Sequence, residues 1–130
     1  LPVEWLKQIK NAAFIDLGAG PGTFSLAWKE LGGSGEVYQI ETSLLMREQA
    51  KKIWDGLYGT KLSLGSRWEW NATGEKILFF GHSANEMGAE TAIRYIEQIN
   101  PEHILFIEPG TKDFFPIMLK IRDYLIAQNF

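Results

Sequence analysis

Asp16, Gly18, Gly20 and Gly22 fall at strict two-residue intervals in Phe14-Ile15-Asp16-Leu17-Gly18-Ala19-Gly20-Pro21-Gly22-Thr23, with an apolar run ahead of them and a helical pattern behind. Glycine lacks a Cβ, so it accepts positive φ in a tight turn and lets a ligand lie against the backbone. The N–H groups of such a turn are expected to face that ligand. Further along, the apolar stretch ending at Ile40 delivers Glu41 and Thr42, at the position from which a carboxylate accepts both hydroxyls of a ribose. The spacing discriminates between ligands. A dinucleotide fingerprint reads G-x-G-x-x-G and seats a pyrophosphate on the helix N-terminus, whereas these glycines read G-x-G-x-G behind an acid. Asp16 would repel a pyrophosphate and suits a cationic amino-acid end, whose ammonium or waters it could hold. A nicotinamide-dependent oxidoreductase is disfavoured on that ground. The plain alternative is a strand-to-helix turn that uses glycine for packing alone.

A nucleoside that carries an amino acid is S-adenosylmethionine, and D-x-G-x-G-x-G resembles motif I of the class I methyltransferases. That resemblance implies an S-adenosylmethionine site formed by Asp16, Gly18, Ala19, Gly20, Gly22, Glu41 and Thr42. A sulfonium is already an activated methyl donor, so the protein needs chiefly to align donor and acceptor in a dry site. Few obligatory side chains are expected.

Two later loops follow apolar runs, Gly81-His82-Ser83-Ala84-Asn85-Glu86-Met87 and Glu108-Pro109-Gly110-Thr111. Both should lie at carboxyl ends of strands, the rim where open α/β sheets bind ligands. Glu-Pro-Gly-Thr, with Phe115, Arg122 and Asp123, resembles the signature of the methyltransferase-like proteins of the small ribosomal subunit, known for mitochondrial ribosome assembly. His82 and Glu86 match that family's Ser-His-x-Leu-x-Glu-Leu, although Gly81, Ala84 and Met87 depart from it, as do Lys112 and Phe114 from the later signature. The resemblance spans most of the chain. It implies small-subunit ribosomal RNA or a ribosome-assembly intermediate as partner. The family continues with a cysteine-bearing, metal-binding segment that does not precede Phe130, and class I sheets end in an antiparallel pair, so a C-terminally truncated domain lacking its final strands is expected.

Each candidate catalytic or pocket residue has a structural alternative. His82 could act as a base or shape the methionine pocket, or simply hold its loop by hydrogen bonds. Glu86 could activate an acceptor, or complement a helix dipole from the first turn. Glu108 could contact the acceptor, or cap neighbouring N–H groups. Trp70 is a candidate to flank the adenine, Trp54 belongs to a helix stripe, and Arg47, Lys51 and Lys52 form a small solvated basic face. There is no cysteine. That excludes a thiolate metal site and the covalent route to pyrimidine C5 methylation within this chain, and no metal is implied. Gly81-His82-Ser83-Ala84 is not the Asn- or Asp-Pro-Pro-aromatic motif of amino-group methylation. A non-catalytic ribosome-assembly module that keeps the cofactor site is therefore the second reading.

The elements that must position these residues follow from periodicity. Ala12–Ile15, Ile77–Phe80 and Ile104–Ile107 are continuous apolar runs, which read as central strands covered on both faces. Glu36–Ile40 is more mixed and should lie nearer an edge. Lys61–Asn71 alternates through Leu62, Leu64, Trp68 and Trp70 like an edge strand but is interrupted by Gly65. Helices are expected over Thr23–Leu31, Ser43–Leu57, Ala89–Ile99 and Lys112–Ala127, and a short one around Trp5, Leu6 and Ile9. In the second of these Met46, Ala50, Ile53, Trp54 and Leu57 form the apolar stripe, Ser43 the N-cap and Gly59 the stop. Alternation of strands and helices predicts an α/β fold: a Rossmann-like class I methyltransferase core, mostly parallel, with strand order 3-2-1-4-5. The 130 residues are 45% hydrophobic and 22% charged, the composition of one ordinary globular domain. Lys+Arg 13 against Asp+Glu 16 gives a net charge of −3, which argues against a general grip on phosphate backbones but leaves room for a local basic face. No apolar run is long enough to cross a bilayer and the amino terminus lacks a signal-peptide pattern. A cytoplasmic protein without a membrane partner is the expectation.

Overall fold

The computed structural model describes residues 3–60, 62–108 and 112–130. In chain order these form α1 (Val3–Ile9), β1 (Ala13–Leu17), α2 (Thr23–Glu30), β2 (Val37–Ile40), α3 (Leu44–Tyr58), β3 (Ser63–Gly65), β4 (Lys76–Gly81), α4 (Ala84–Met87), α5 (Ala89–Ile99), β5 (His103–Ile107) and α6 (Phe114–Ala127). The five strands make one sheet, ordered β3-β2-β1-β4-β5, and every pairing is parallel. Among the described residues no helix is long and apolar enough to cross a membrane.

Side chains alternate across the pleat, so each strand serves two cores. Ile15, Leu17, Tyr38, Ile40, Leu78 and Phe80 face α5 and α6, where Ala92, Ile96, Ile99 and Ile121 cover them. Phe14, Val37, Ile77 and Phe79 face the other way, onto Trp28 of α2 and Trp54 of α3. Phe14 stacks on Trp28 with ring centroids 5.0 Å apart, and Phe80 stacks on Phe106 at 4.7 Å. Trp5 and Ile9 of α1 join the second core; the Leu6 side chain lies outside those described.

The structure corrects the reading of Ile104–Ile107. This run forms β5, the outer strand of the described sheet rather than a central one, and Ile107 is 44% exposed. A continuous apolar run signals cover on both faces, but says nothing of whether both flanks are paired. The mixed segment expected nearer an edge forms β2, one strand in from the edge and wholly buried. The edge itself is β3, only three residues long, pairing Ser63 with Tyr38 and Gly65 with Ile40. Trp68 and Trp70 then turn back onto Tyr38, each with its ring centroid 5.4 Å away.

Helix α3 has the expected ends. The Ser43 hydroxyl accepts from the Met46 N–H at 3.3 Å, and Gly59 closes the helix with φ of 63°. Its stripe is only partly used: Ala50 and Trp54 are buried, whereas Met46, Ile53 and Leu57 are exposed, Leu57 by 64%. A three-residue edge strand offers a fifteen-residue helix too little surface to cover the rest. Helix α6 begins at Phe114, two residues after the expected Lys112, with Pro116 tolerated in its first turn.

Phe80 is completely buried at the centre of the larger core. Phe80→Ala should lower the free energy of unfolding by about 3–5 kcal/mol in a urea titration, and a loss below 1 kcal/mol would contradict this packing.

Candidate functional site

The glycine turn joins β1 to α2 as its sequence requires, with φ of 71° at Gly18, 57° at Gly20 and 89° at Gly22. The three glycines have different reasons to lack a Cβ. One added at Gly18 would lie 2.4 Å from Ser83 Cβ, and one at Gly22 would lie 2.6 Å from Gln39 Nε2, while at Gly20 nothing lies within 4 Å. Gly18 and Gly22 are thus closed by neighbouring chain, and of the three only Gly20 has open space beside it among the described residues.

The N–H groups of the turn do not face outward as expected. Gly18 and Ala19 both donate to the Ile40 carbonyl, at 2.8 and 3.0 Å, and Gly22 donates to the Ala19 carbonyl at 3.0 Å. Gly20 donates to Glu41 Oε1 at 2.7 Å. The other Glu41 oxygen accepts from Ser43 N–H at 2.8 Å. Arg47 also turns inward: its guanidinium donates to the carbonyls of Glu41 and Thr42, at 2.7 and 3.1 Å. It is not the free member of a solvated basic face.

Asp16 sits beneath this turn and is 1% exposed. Its carboxylate accepts from the Ser25 hydroxyl at 2.6 Å and from the Ser25 backbone N–H, so it caps α2 from within. The N-terminus of that helix is thereby already supplied with an anion. Burial pushes the Asp16 carboxyl up to about 6, and the neighbouring Glu41 charge adds to the rise while the Ser25 bonds oppose it. Gln39, beside Asp16 in the sheet register, is equally buried, and its Oε1 has no partner among the described residues.

A cleft of about 290 Å³ opens at the carboxyl ends of β1, β2 and β4. Leu17, Gly18 and Ile40 form one side, Glu41 and Thr42 a polar rim, and Ser83, Glu86 and Met87 with Thr91 and Tyr95 of α5 the opposite side. Of the residues singled out from the sequence, Gly18, Glu41, Thr42 and Glu86 line it. Asp16, Ala19, Gly20, Gly22, His82 and Glu108 do not line it. His82 holds a left-handed backbone, φ 59°, its N–H bonded to the Ile107 carbonyl at 2.7 Å and its ring 6.0 Å from that of Phe24. Glu108 accepts from the Ala84 N–H at 2.8 Å and from the N–H groups of Ser83 and Asn85. Burial raises its carboxyl above the ordinary range despite these bonds and the nearby His82. Glu108 thus caps the turn that carries Ser83.

Trp70 does not line the cleft but belongs to the aromatic cluster with Tyr38 and Trp68. Pro109, Gly110 and Thr111 lie outside the described residues, and Arg122 pairs with its exposed neighbour Asp123 at 2.9 Å. Among the described residues no three His, Asp or Glu side chains converge as a metal site requires. The wall residues missed from sequence were Leu17, Ile40, Ser83, Met87, Thr91 and Tyr95. The first two could have been found as the last residues of strands. Thr91 and Tyr95, four apart on α5, share a helix face, but nothing local says that this face meets the cleft.

No protein-family model matches the sequence, and no curated protein does. Solved structures do match. The PH0226 protein from Pyrococcus horikoshii OT3 superposes with a TM-score of 0.64 at 13% identity, over 97% of this chain and 57% of its own. The ribosomal protein L11 methylase from Lactobacillus delbrueckii subsp. bulgaricus superposes with a TM-score of 0.61 at 19% identity, over 96% of this chain and 63% of its own. The chain shares the Rossmann-like α/β fold of these structures. It spans less than two thirds of either neighbour, and at these identities the likeness is one of fold.

The raised Asp16 carboxyl makes stability depend on pH. The folded protein binds this proton more tightly than the unfolded chain, so Asp16 favours folding below its ordinary value of 3.8, and that contribution is lost as pH rises toward about 6. Asp16→Asn should remove a decline of about 3 kcal/mol across that window. Urea titrations of both proteins between pH 4 and 7 check it; parallel profiles would place the proton elsewhere.

Proposed function

We propose that the protein is an S-adenosylmethionine-dependent methyltransferase acting on small-subunit ribosomal RNA or on a ribosome-assembly intermediate. The observation that carries the cofactor reading is Glu41: a carboxylate at the end of β2 that borders the cleft. Each of its oxygens takes one backbone N–H and retains a lone pair for a ribose hydroxyl. The residues present suit such a ligand. The Ser83 hydroxyl is buried on the cleft wall without a partner among the described residues, and a buried polar atom is normally satisfied. Leu17, Ile40 and Met87 supply an apolar surface for a purine, and Gly20 leaves open space beside the turn.

The same geometry disfavours a dinucleotide. A pyrophosphate needs free N–H groups at the helix N-terminus, but the turn's donors are engaged internally and Asp16 already occupies the inner side of that terminus. When bound, S-adenosylmethionine would supply a methyl group on a positively charged sulfur. The chain's own task would be to orient it, through Glu41 and the glycine turn, and to exclude water with the apolar wall. Glu86, exposed on the cleft's rim, is the residue positioned to take a proton from an acceptor. A ribosomal acceptor is favoured by the resemblance of the later loops, and the Lactobacillus neighbour is itself named for methylating a ribosomal protein.

The second reading, a non-catalytic assembly module that binds the same cofactor, is favoured by Glu108, whose Oε1 caps the Ser83 turn and whose carboxylate does not line the cleft.

Calorimetry should detect S-adenosylhomocysteine binding and no NAD binding; preference for NAD would reverse the assignment. Glu41→Ala should weaken binding by about 1.5–3 kcal/mol, the worth of hydrogen bonds to a charged group, and unchanged affinity would remove Glu41 from the site. If the protein is an enzyme, radiolabel from S-adenosylmethionine enters small-subunit RNA, and Glu86→Gln lowers turnover more than cofactor affinity. Cofactor binding with no labelled acceptor among ribosomal precursors would leave the module reading.

A further inference from the structure

Behind Thr91 and Tyr95 the cleft is continued by a second groove of about 290 Å³, which shares these two residues and adds Arg67, Trp68, Arg94 and Gln98. Two arginines and an indole line it together. Arg67 and Arg94 are both exposed, and among the described residues no carboxylate lies within 4 Å of either guanidinium. Arg94 makes only a long bond, 3.5 Å, to the Thr91 hydroxyl. Glu97, the nearest acid along this part of α5, engages Tyr124 of α6 instead. Glu90, one turn before Arg94 on α5, and Glu69, two residues from Arg67, form no ion pair with these guanidinium groups among the described residues, so both arginines are left unpaired although the chain as a whole carries −3.

Trp68 is half-buried and packs edge-on against two other rings, with centroids 5.4 Å from Tyr38 and 5.5 Å from Trp70. An aromatic ring that shares a groove with two unpaired arginines matches the pattern by which proteins bind unpaired bases and the phosphates beside them. We propose that this groove docks a single-stranded segment of RNA, with a base stacked on Trp68 and phosphates on Arg67 and Arg94, and so leads an RNA acceptor toward the neighbouring cleft. The docking assignment stands on the groove's own residues; its link to methyl transfer rests on the function proposed above. The shared wall of Thr91 and Tyr95 makes the two sites adjacent without making them one.

The test uses the full-length protein and a short fluorescein-labelled oligouridylate, read by anisotropy over a range of salt. Two phosphate contacts on a single strand contribute about −1.4 to the slope of log affinity against log salt. The doubly substituted R67E/R94E protein should bind roughly tenfold or more weakly and lose that part of the slope. Both positions are exposed, so thermal melting should be unchanged. Trp68→Leu should weaken binding on the order of ten- to a hundredfold, with Trp68→Phe restoring most of it because a ring face remains. S-adenosylhomocysteine affinity should be the same in all variants. Equal oligouridylate binding by wild type and R67E/R94E, or no binding by a wild type that still takes S-adenosylhomocysteine, overturns the proposal, the second result pointing to a protein acceptor. Salt-dependent RNA binding lost in R67E/R94E, in a protein that takes no S-adenosylhomocysteine, upholds the groove and overturns the cofactor reading instead.

Discussion

The Glu41 carboxylate ties together the two turns on which the site is built. One oxygen holds the Gly20 N–H of the β1–α2 turn and the other the Ser43 N–H at the start of α3, while Arg47 draws the intervening carbonyls of Glu41 and Thr42 inward. The two turns are twenty-one residues apart in sequence at the Gly20–Glu41 contact. Charge-assisted bonds of this kind are about twice as strong as neutral ones. Glu41 thus fixes the shape of the cleft's rim before any ligand arrives, and the same carboxylate borders the cleft. A site whose ligand-facing group is also its brace holds its geometry at little further entropic loss on binding.

The sheet makes this brace possible. Parallel pairing of β1 with β2 brings Leu17 level with Ile40, so both chains leave the sheet at the same height and their turns meet. The Ile40 carbonyl then receives the Gly18 and Ala19 N–H groups. Below, Asp16 and Gln39 sit side by side on the α2 face, where Asp16 satisfies the helix start through Ser25. Buried polar groups beneath a glycine turn are costly unless bonded, and the Asp16–Ser25 contact offsets part of that cost. On the other side of β1, Glu108 does for the Ser83 turn what Asp16 does for α2. Three carboxylates therefore position the backbone around the cleft, and two of them do not line it.

Much of this was legible in the residues alone. The glycine turn between strand and helix, the acid after the second strand, the α/β class and the strand order are all local signals or follow from short chain-connection rules. The ends of α3 at Ser43 and Gly59 are equally local, because a cap depends on a few consecutive residues. Periodicity failed where cover comes from elsewhere in the chain. The stripe of α3 looks wholly buried in sequence, but the length of β3 decides how much of it is. The run at Ile104 reads as central, but position within the sheet depends on which strands pair, and β5 has β4 on one flank only among the described residues.

The sequence by itself determined which chemical groups are present and in what order they emerge from the strands: an acid, three glycines, a second acid, then the His82 and Glu108 loops. The tertiary structure decided which of them face a ligand. Asp16 and Glu41 are both carboxylates near the ends of adjacent strands, yet the pleat turns one down onto Ser25 while the strand's end leaves the other at the rim. Gly18 and Gly20 are alike in sequence, yet Ser83 closes one and open space lies beside the other. Such choices rest on contacts between segments tens of residues apart, whose partners are fixed only when the sheet has assembled and each side chain has been given its face.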